Sequence, residues 1–452
     1  MAPKVWKQTS LSKFSPRRAI EMSISLKDLQ AAVATGAAFR SRTKLQPAGG
    51  PGDKVFPPTY AGAVYAMEMR RVPGQEQLVK CVLLDSVQSQ ANRSEEALQD
   101  AVDEGRIQIP VVEVDFSGIP IVDPGSKDDG LFEPIGRVTS LEAPHRVADA
   151  ILRDSELDGK PFRQADEGRK LLMATLRNAT PLFELCPTAL TYGIWDSTGP
   201  KGGLGVKFQR AVVSEIIGID ASLGVKTSSR MDPLGIQLKA GPVYEGKDGD
   251  WTDDLEQARL EKKKPKLVGK DGKPSEVNHG NIAPSLSDTA KDPLSEDGGK
   301  IYLAGGVTIA YAEQTTVISL PALRRLRFPL NGESTSDREV NLAAQTVLAA
   351  LGLCGAALAA ERGLDLRSRC LLWPDETPKW ELLGKAGDPP QEFELTADQA
   401  IELLNAAVKA AVAKKLPWRT EPLQLKPAQK LVALVRKSQE LAVKEAAAEG
   451  GE

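Results

Sequence analysis

The stretch LVKCVLLDSVQSQANRSEEALQDAVDE, Leu78–Glu104, decides the fold class. Its opening, LVKCVLL, is a short Val/Leu-rich apolar run that reads as a buried strand. From Ser86 the composition turns helical, starting on small polar residues and stopping at Gly105. A strand feeding directly into a helix predicts mixed secondary structure. Downstream, Ile107–Phe116 (IQIPVVEVDF) reads as a second strand with Pro110 at an edge or bulge. Pro144–Ser155 reads as a helix with Pro144 near its first turn, and Gly168–Asn178 as another. Ala189–Asp196 and Val206–Ile219 read as strands around a glycine-rich turn, and Ile301–Leu320 as further strand. Lys226–Gly235 reads as a polar loop, and residues 241–300, rich in Gly, Pro, Asp and Lys, as an inserted or flexible segment.

After Arg327 the sequence becomes helical. Ser336 and Glu339 have capping-box spacing before an Ala/Leu helix reaching Glu361, with Gly363 as its stop. Thr396 and Gln399 repeat the pattern before a helix to about Lys415, and Pro427–Glu449 is amphipathic. The expectation is an α+β body over residues 1–330 and a mainly helical region over residues 331–452.

Composition narrows the function. The chain has 452 residues, 41% hydrophobic and 26% charged, which suits a packed core. Met1–Leu29 lacks a signal-peptide apolar run, and Leu342–Ala360 is an Ala/Gly stretch broken by Gln345 and Thr346. A cytoplasmic protein with no membrane partner is expected. Four scattered cysteines without a CxxC pair point away from structural zinc and from a disulfide scaffold. Only two histidines occur, and no phosphate-binding loop, dinucleotide fingerprint or nucleophile elbow is present. The expectation is no cofactor, no metal and no catalysis. A net charge of −3 argues against coating nucleic acid by bulk charge, although the first 52 residues carry nine Lys/Arg against two Asp/Glu.

Several strings place hydroxyls, amides and cations where a helix end or loop can meet phosphate. Ser86, Gln88, Ser89, Asn92 and Arg93 lie on the first turns of the predicted helix, whose N-terminus favours anions. The same residues equally serve as an ordinary cap with a solvated face. Lys226, Ser228, Ser229 and Arg230 form a second string, which also reads as a surface turn. Arg40, Arg42 and Lys44 form a third, and His145 with Arg146 opens a predicted helix. Lys207 and Arg210 flank Phe208 after the glycine-rich turn, and Arg324, Arg325 and Arg327 form a further cluster. Together they suit single-stranded RNA held by its backbone.

Longer strings resemble one family. TKLQPAGGPGDKVFPPTYAG (Thr43–Gly62), LLDSVQSQANRSE (Leu83–Glu95), VTSLEAPHRVADAILRDS (Val138–Ser155), NATPLFELCPTAL (Asn178–Leu190) and KTSSRMDPLGI (Lys226–Ile236) carry the similarity. The family is the Cas-seven-type RAMP backbone subunit of the type I-G (formerly I-U) CRISPR Cascade complex, of the GSU-type Csb group. The resemblance spans about Ala37–Val243 and returns more weakly over Ile301–Leu330. It implies a modified RRM-like (ferredoxin-like) core with thumb and finger insertions. It implies copies stacking along a guide RNA (crRNA) and presenting its bases to target DNA in an R-loop. The implied partners are a Cas-five/Cas-six fusion subunit and a large Cascade subunit, with RNA contacts in the strings above. Two other readings stay open: a metal-dependent RAMP ribonuclease using Asp85, Asp196 or Asp232, and a self-assembling protein without nucleic acid.

Overall fold

A computed structural model describes residues 23–450, apart from 63, 125, 127, 200–205, 287–288, 292–299, 303–304, 331 and 334. In chain order, its main elements begin with helix α1 (Leu26–Thr35) and strands β1 (Ala38–Pro47), β2 (Met67–Arg71) and β3 (Leu78–Asp85). Helix α2 (Val87–Asp103) and strand β4 (Val112–Asp115) follow, then a short hairpin of β5 (Ile194–Trp195) and β6 (Lys207–Phe208). Next come β7 (Val212–Ile219), β8 (Thr227–Arg230), β9 (Ile282–Leu286), β10 (Tyr311–Ser319) and helix α3 (Arg338–Arg362). The chain continues through β11 (Leu371–Pro374), β12 (Trp380–Leu383), α4 (Ala397–Ala413), β13 (Leu423–Pro427) and α5 (Gln429–Gly450).

The fold is α+β. Strands β1, β10, β7 and β3 lie side by side in that order, and every neighbouring pair is antiparallel. An ideal ferredoxin-like core is a split β-α-β unit. The modification here is one of strand order: β1 sits beyond β10, away from β7 and β3. Beyond them, β2 pairs with β3, while β12 and β11 pair with the two ends of β1. Alternation along β1 turns Phe39, Ser41, Thr43 and Leu45 inward and Arg40, Arg42 and Lys44 outward.

Helices α2 and α3 cover the inner face. Helix α3 is, among the described residues, the one helix long and apolar enough to cross a membrane, yet it is buried in the core against α2 and α4. Small residues permit that closeness. A Cβ added at Gly352 would come within 2.8 Å of the Val212 side chain, and one at Gly355 within 2.3 Å of the Tyr192 hydroxyl.

A second sheet joins distant segments: β13 runs parallel to β4 and also pairs with Ser155–Leu157. Helix α5 then lies over the loop after β4. There Arg436 donates to the Ser126 carbonyl at 2.6 Å and stacks 5.4 Å from the Phe132 ring centre, while Gln439 accepts from the Phe132 amide at 2.8 Å.

Several local expectations are corrected. Pro144–Ser155 is not one helix: a 3-10 turn, Arg146–Ala148, meets a short helix, Ala150–Arg153, capped by Asp149. Arg146 has φ +54°, a backbone bend that sends its side chain inward. The helix expected over Gly168–Asn178 covers Asp166–Leu172 instead. Residues Thr188–Thr191 are helical, and the hairpin is confined to β5 and β6 because Val212–Ile219 belongs to the main sheet. Lys226–Gly235 is not simply a loop, since β8 pairs with β9. The cap of α3 is Asp337, which accepts from the amides of Glu339 and Val340; Ser336 accepts instead from the Asn341 side chain. The Thr396–Gln399 capping box is present as expected. Within residues 241–300 the described part holds short hairpins with Val243, Ala258 and Val277 buried.

Candidate nucleic-acid interface

Helix α2 starts where β3 ends. Ser86 is its N-cap and accepts from the Ser89 amide at 3.2 Å, so part of the anticipated anion-binding end serves the helix itself. Helical periodicity then separates two faces. Gln88 and Asn92, four residues apart, project to solvent, whereas Gln90, Ser94 and Glu95 are buried.

Arg93 is committed to the protein. Its guanidinium donates to the fully buried Asp85 carboxylate at 3.0 Å and to the Leu366 carbonyl at 2.6 Å. Asp85 also accepts from Gln90 at 2.6 Å and from Arg367 at 3.3 Å. Arg146 is likewise internal, 7% exposed. It grips both Glu95 carboxylate oxygens at 2.6 Å, donates to the Gly193 carbonyl at 2.9 Å, and lies 5.7 Å from the Tyr192 ring centre. Burial pushes the Glu95 carboxyl up, to about 7, against the pull of the Arg146 charge. Arg146 lines the cleft beside α2, whereas Arg93 lies outside it.

That cleft, of about 970 Å³, lies between the start of α2, the turn at His145 and the β5–β6 hairpin. Gln88, Asn92, His145, Arg146, Lys207 and Arg210 all line it. Three sequence-distant parts of the chain thus converge at one place. The hairpin's two-residue ladder sorts its side chains: Ile194 and Phe208 pair inward, while Trp195 and Lys207 pair outward. Trp195 is 58% exposed, with the Lys207 ammonium 5.5 Å from its ring centre. Among the described residues neither Lys207 nor Arg210 has a carboxylate partner. Asp196, at the hairpin's base, is held by Arg163 at 2.7 Å and by the Thr198 amide at 3.1 Å. The cleft therefore offers an open indole face, three amides, an imidazole and two cations without a carboxylate partner among the described residues. That set suits an unpaired base beside phosphates.

The other expected residues lie elsewhere. Arg40, Arg42 and Lys44 stand on the open face of the main sheet, paired with Glu381 at 2.6 Å, Glu313 at 2.7 Å and Asp375 at 3.5 Å. Lys226, Ser228, Ser229 and Arg230 lie in or next to β8, where the Ser228 and Ser285 hydroxyls meet at 2.9 Å across the ladder. Met231 just beyond is 92% exposed. Arg324 donates to the Val33 and Gly36 carbonyls, closing the end of α1.

The three candidate acids do not converge. Asp85 is enclosed by its arginines, Asp196 by Arg163, and Asp232 accepts from the Leu234 and Gly280 amides. Among the described residues no group of three or more His, Cys, Asp or Glu side chains could hold a metal ion.

Sequence reasoning missed Trp195 and Gln209, both lining the cleft. The available signal for Trp195 was its adjacency to Asp196, a polar residue that marks a strand end; read alone, IWD looks like core strand.

Residues 39–223 match the family model of CRISPR-associated protein GSU0053, under half of the chain. No curated protein matches it. Over that segment the chain is similar to a CRISPR-associated protein family, a likeness that suggests a role in CRISPR defence.

Proposed function

We propose that this chain holds single-stranded guide RNA in the cleft beside α2, as the repeating backbone subunit of a type I-G Cascade complex. The single observation that carries this reading is convergence. Gln88, Asn92, His145, Lys207 and Arg210, drawn from separate strings, line one cleft together with an exposed tryptophan. Every residue lining that cleft lies within the segment matched to the CRISPR-associated family.

The physical division of labour follows from the side chains. Lys207 and Arg210 neutralise phosphates, Gln88 and Asn92 hydrogen-bond sugar or phosphate, and Trp195 stacks on a base. Such contacts are indifferent to sequence, as a carrier of variable guides requires. With only a few phosphates neutralised per copy, affinity comes from neighbouring copies on one strand, consistent with a net charge of −3. The partners in this reading are crRNA, target DNA in the R-loop, other copies of the chain, the Cas-five/Cas-six fusion and the large subunit.

The test is expression of the chain with a CRISPR repeat–spacer transcript, alone and with those partner subunits, followed by sizing and nucleic-acid extraction. RNA of discrete length in a high-mass particle is the expected result. A nucleic-acid-free chain in both preparations would overturn the reading.

A further inference from the structure

Of the three arginines between residues 324 and 327, two are spent on the protein. Arg324 donates to the Val33 and Gly36 carbonyls at 3.0 and 2.7 Å, and Arg327 to the Arg324 and Leu326 carbonyls at 2.6 and 3.0 Å. Arg325 is exposed and, among the described residues, has no carboxylate partner. Its place is fixed by the backbone. It caps the short helix Leu320–Arg324, and its amide donates to the Ala322 carbonyl at 3.4 Å.

Arg325 borders a second space, of about 220 Å³. That is below the ~300 Å³ at which self-standing small-molecule sites begin, and this space does not stand alone. It shares Lys207, Phe208 and Gln209 with the cleft beside α2, so the two adjoin along β6 and the residue after it. Phe208 is buried there, while Lys207 and Gln209 are exposed. Leu176, Leu190 and Leu326 supply apolar walls, Leu176 46% exposed and the other two buried. No acidic residue lines the space; its charged residues are Lys207 and Arg325. Of the three cations, Arg210 borders the cleft, Arg325 the second space, and Lys207 both. Cations without an opposing acid beside an apolar wall suit a phosphate and its base.

We propose that this space is the next nucleotide position of the RNA strand held in the cleft. The strand crosses Lys207 and Gln209, Arg325 receives the following phosphate, and the base lies against Leu176 and Leu326. The inference rests on the RNA reading of the cleft and extends it by one position.

The test is a fluorescence-anisotropy titration of the full chain with labelled oligouridylates lengthened one nucleotide at a time. Affinity should rise with length as first the cleft and then the second space fills. Arg325→Glu should match the wild type on the shortest oligomers that bind, at unchanged melting temperature. On longer ones it should fall behind by roughly tenfold, the worth of one charge-assisted contact. Its log–log salt slope on the longer oligomers should be shallower by about 0.7, one phosphate fewer on a single strand. Arg325→Lys should restore both values. RNA binding that ignores Arg325→Glu at every length, or a deficit equal at every length, would overturn the proposal and leave the cleft reading standing. Binding of no oligomer at any length would overturn both.

Discussion

The cleft beside α2 and the open face of the main sheet hold similar numbers of cations but use them differently. On the sheet face each is answered: Arg40 by Glu381, Arg42 by Glu313, Lys44 by Asp375, and Arg70 by Glu215 at 2.8 Å. In the cleft, Arg146 is buried against Glu95, while Lys207 and Arg210 line the opening with no carboxylate partner among the described residues. Counting basic residues along the sequence treats these surfaces alike. What distinguishes them is whether an acid on a neighbouring strand lies within reach, a property of register: Arg42 stands opposite Thr315, two residues from Glu313 on the same face. An electrostatically closed surface has little left to offer a polyanion.

The largest effect should come from breaking the cleft's wall. Arg146→Ala leaves Glu95 buried and unpaired, and unfolding by urea should show a loss of ~3–5 kcal/mol; Arg42→Ala on the sheet face should lose under ~1 kcal/mol. Equal losses would erase the distinction between a buried pair and a surface pair.

Next in size, Lys207→Glu with Arg210→Glu should weaken single-stranded RNA binding by on the order of 10–100-fold and flatten its salt dependence. Reversal of Arg40 and Arg42 should leave RNA affinity nearly unchanged. If the sheet-face variant proves the weaker binder in a fluorescence-anisotropy titration, the assignment of the two surfaces is inverted. Trp195→Ala sharpens the same contrast without altering charge. It should cost ~1–3 kcal/mol of RNA binding for one lost stacked base, at unchanged melting temperature.

The smallest effect concerns pH. Hydrogen bonding from Arg153, reinforced by Lys430 at the start of α5, holds the Asp154 carboxyl down to about 2. Because its pKa is lowered on folding, the stability it adds is present above the ordinary 3.8 and is lost as pH falls toward 2. Asp154→Asn should remove under ~1 kcal/mol at pH 7, and its deficit should vanish near pH 2 in paired urea melts. A deficit that persists unchanged at pH 2 would assign the effect to packing rather than charge.

Much of the architecture could be read locally. The strand read over Leu78–Leu84, the cap at Ser86, the box at Thr396–Gln399 and the long α3 helix follow from short-range rules; all are present, the strand running one residue further to Asp85. The site was legible only in part. Gln88, Asn92, His145, Lys207 and Arg210 were recognisable as residue types, but their meeting depends on a hairpin that starts about ninety residues after α2 ends. Arg93 and Arg146 looked equally available because their partners, Asp85 with residues near 366 and Glu95 with Gly193, are brought close only by tertiary folding. A periodic pattern identifies an inward-facing position, but not which distant acid waits there.

The parallel pairing of β4 with β13 has a consequence for synthesis. Leu423 must lie beside Val112, so the sheet leading to the His145 turn stays incomplete until about 310 further residues have left the ribosome. At elongation rates of about 5–20 residues per second that interval is roughly 15–60 s. During it β4 presents an unpaired edge, and the turn that carries His145 and Arg146 lacks its final support. The nascent chain thus exists for a time as a protein with its outer scaffold made and its grip unfinished. Pulse-labelled proteolysis of ribosome-bound chains stalled before and after residue 427 would time that closure.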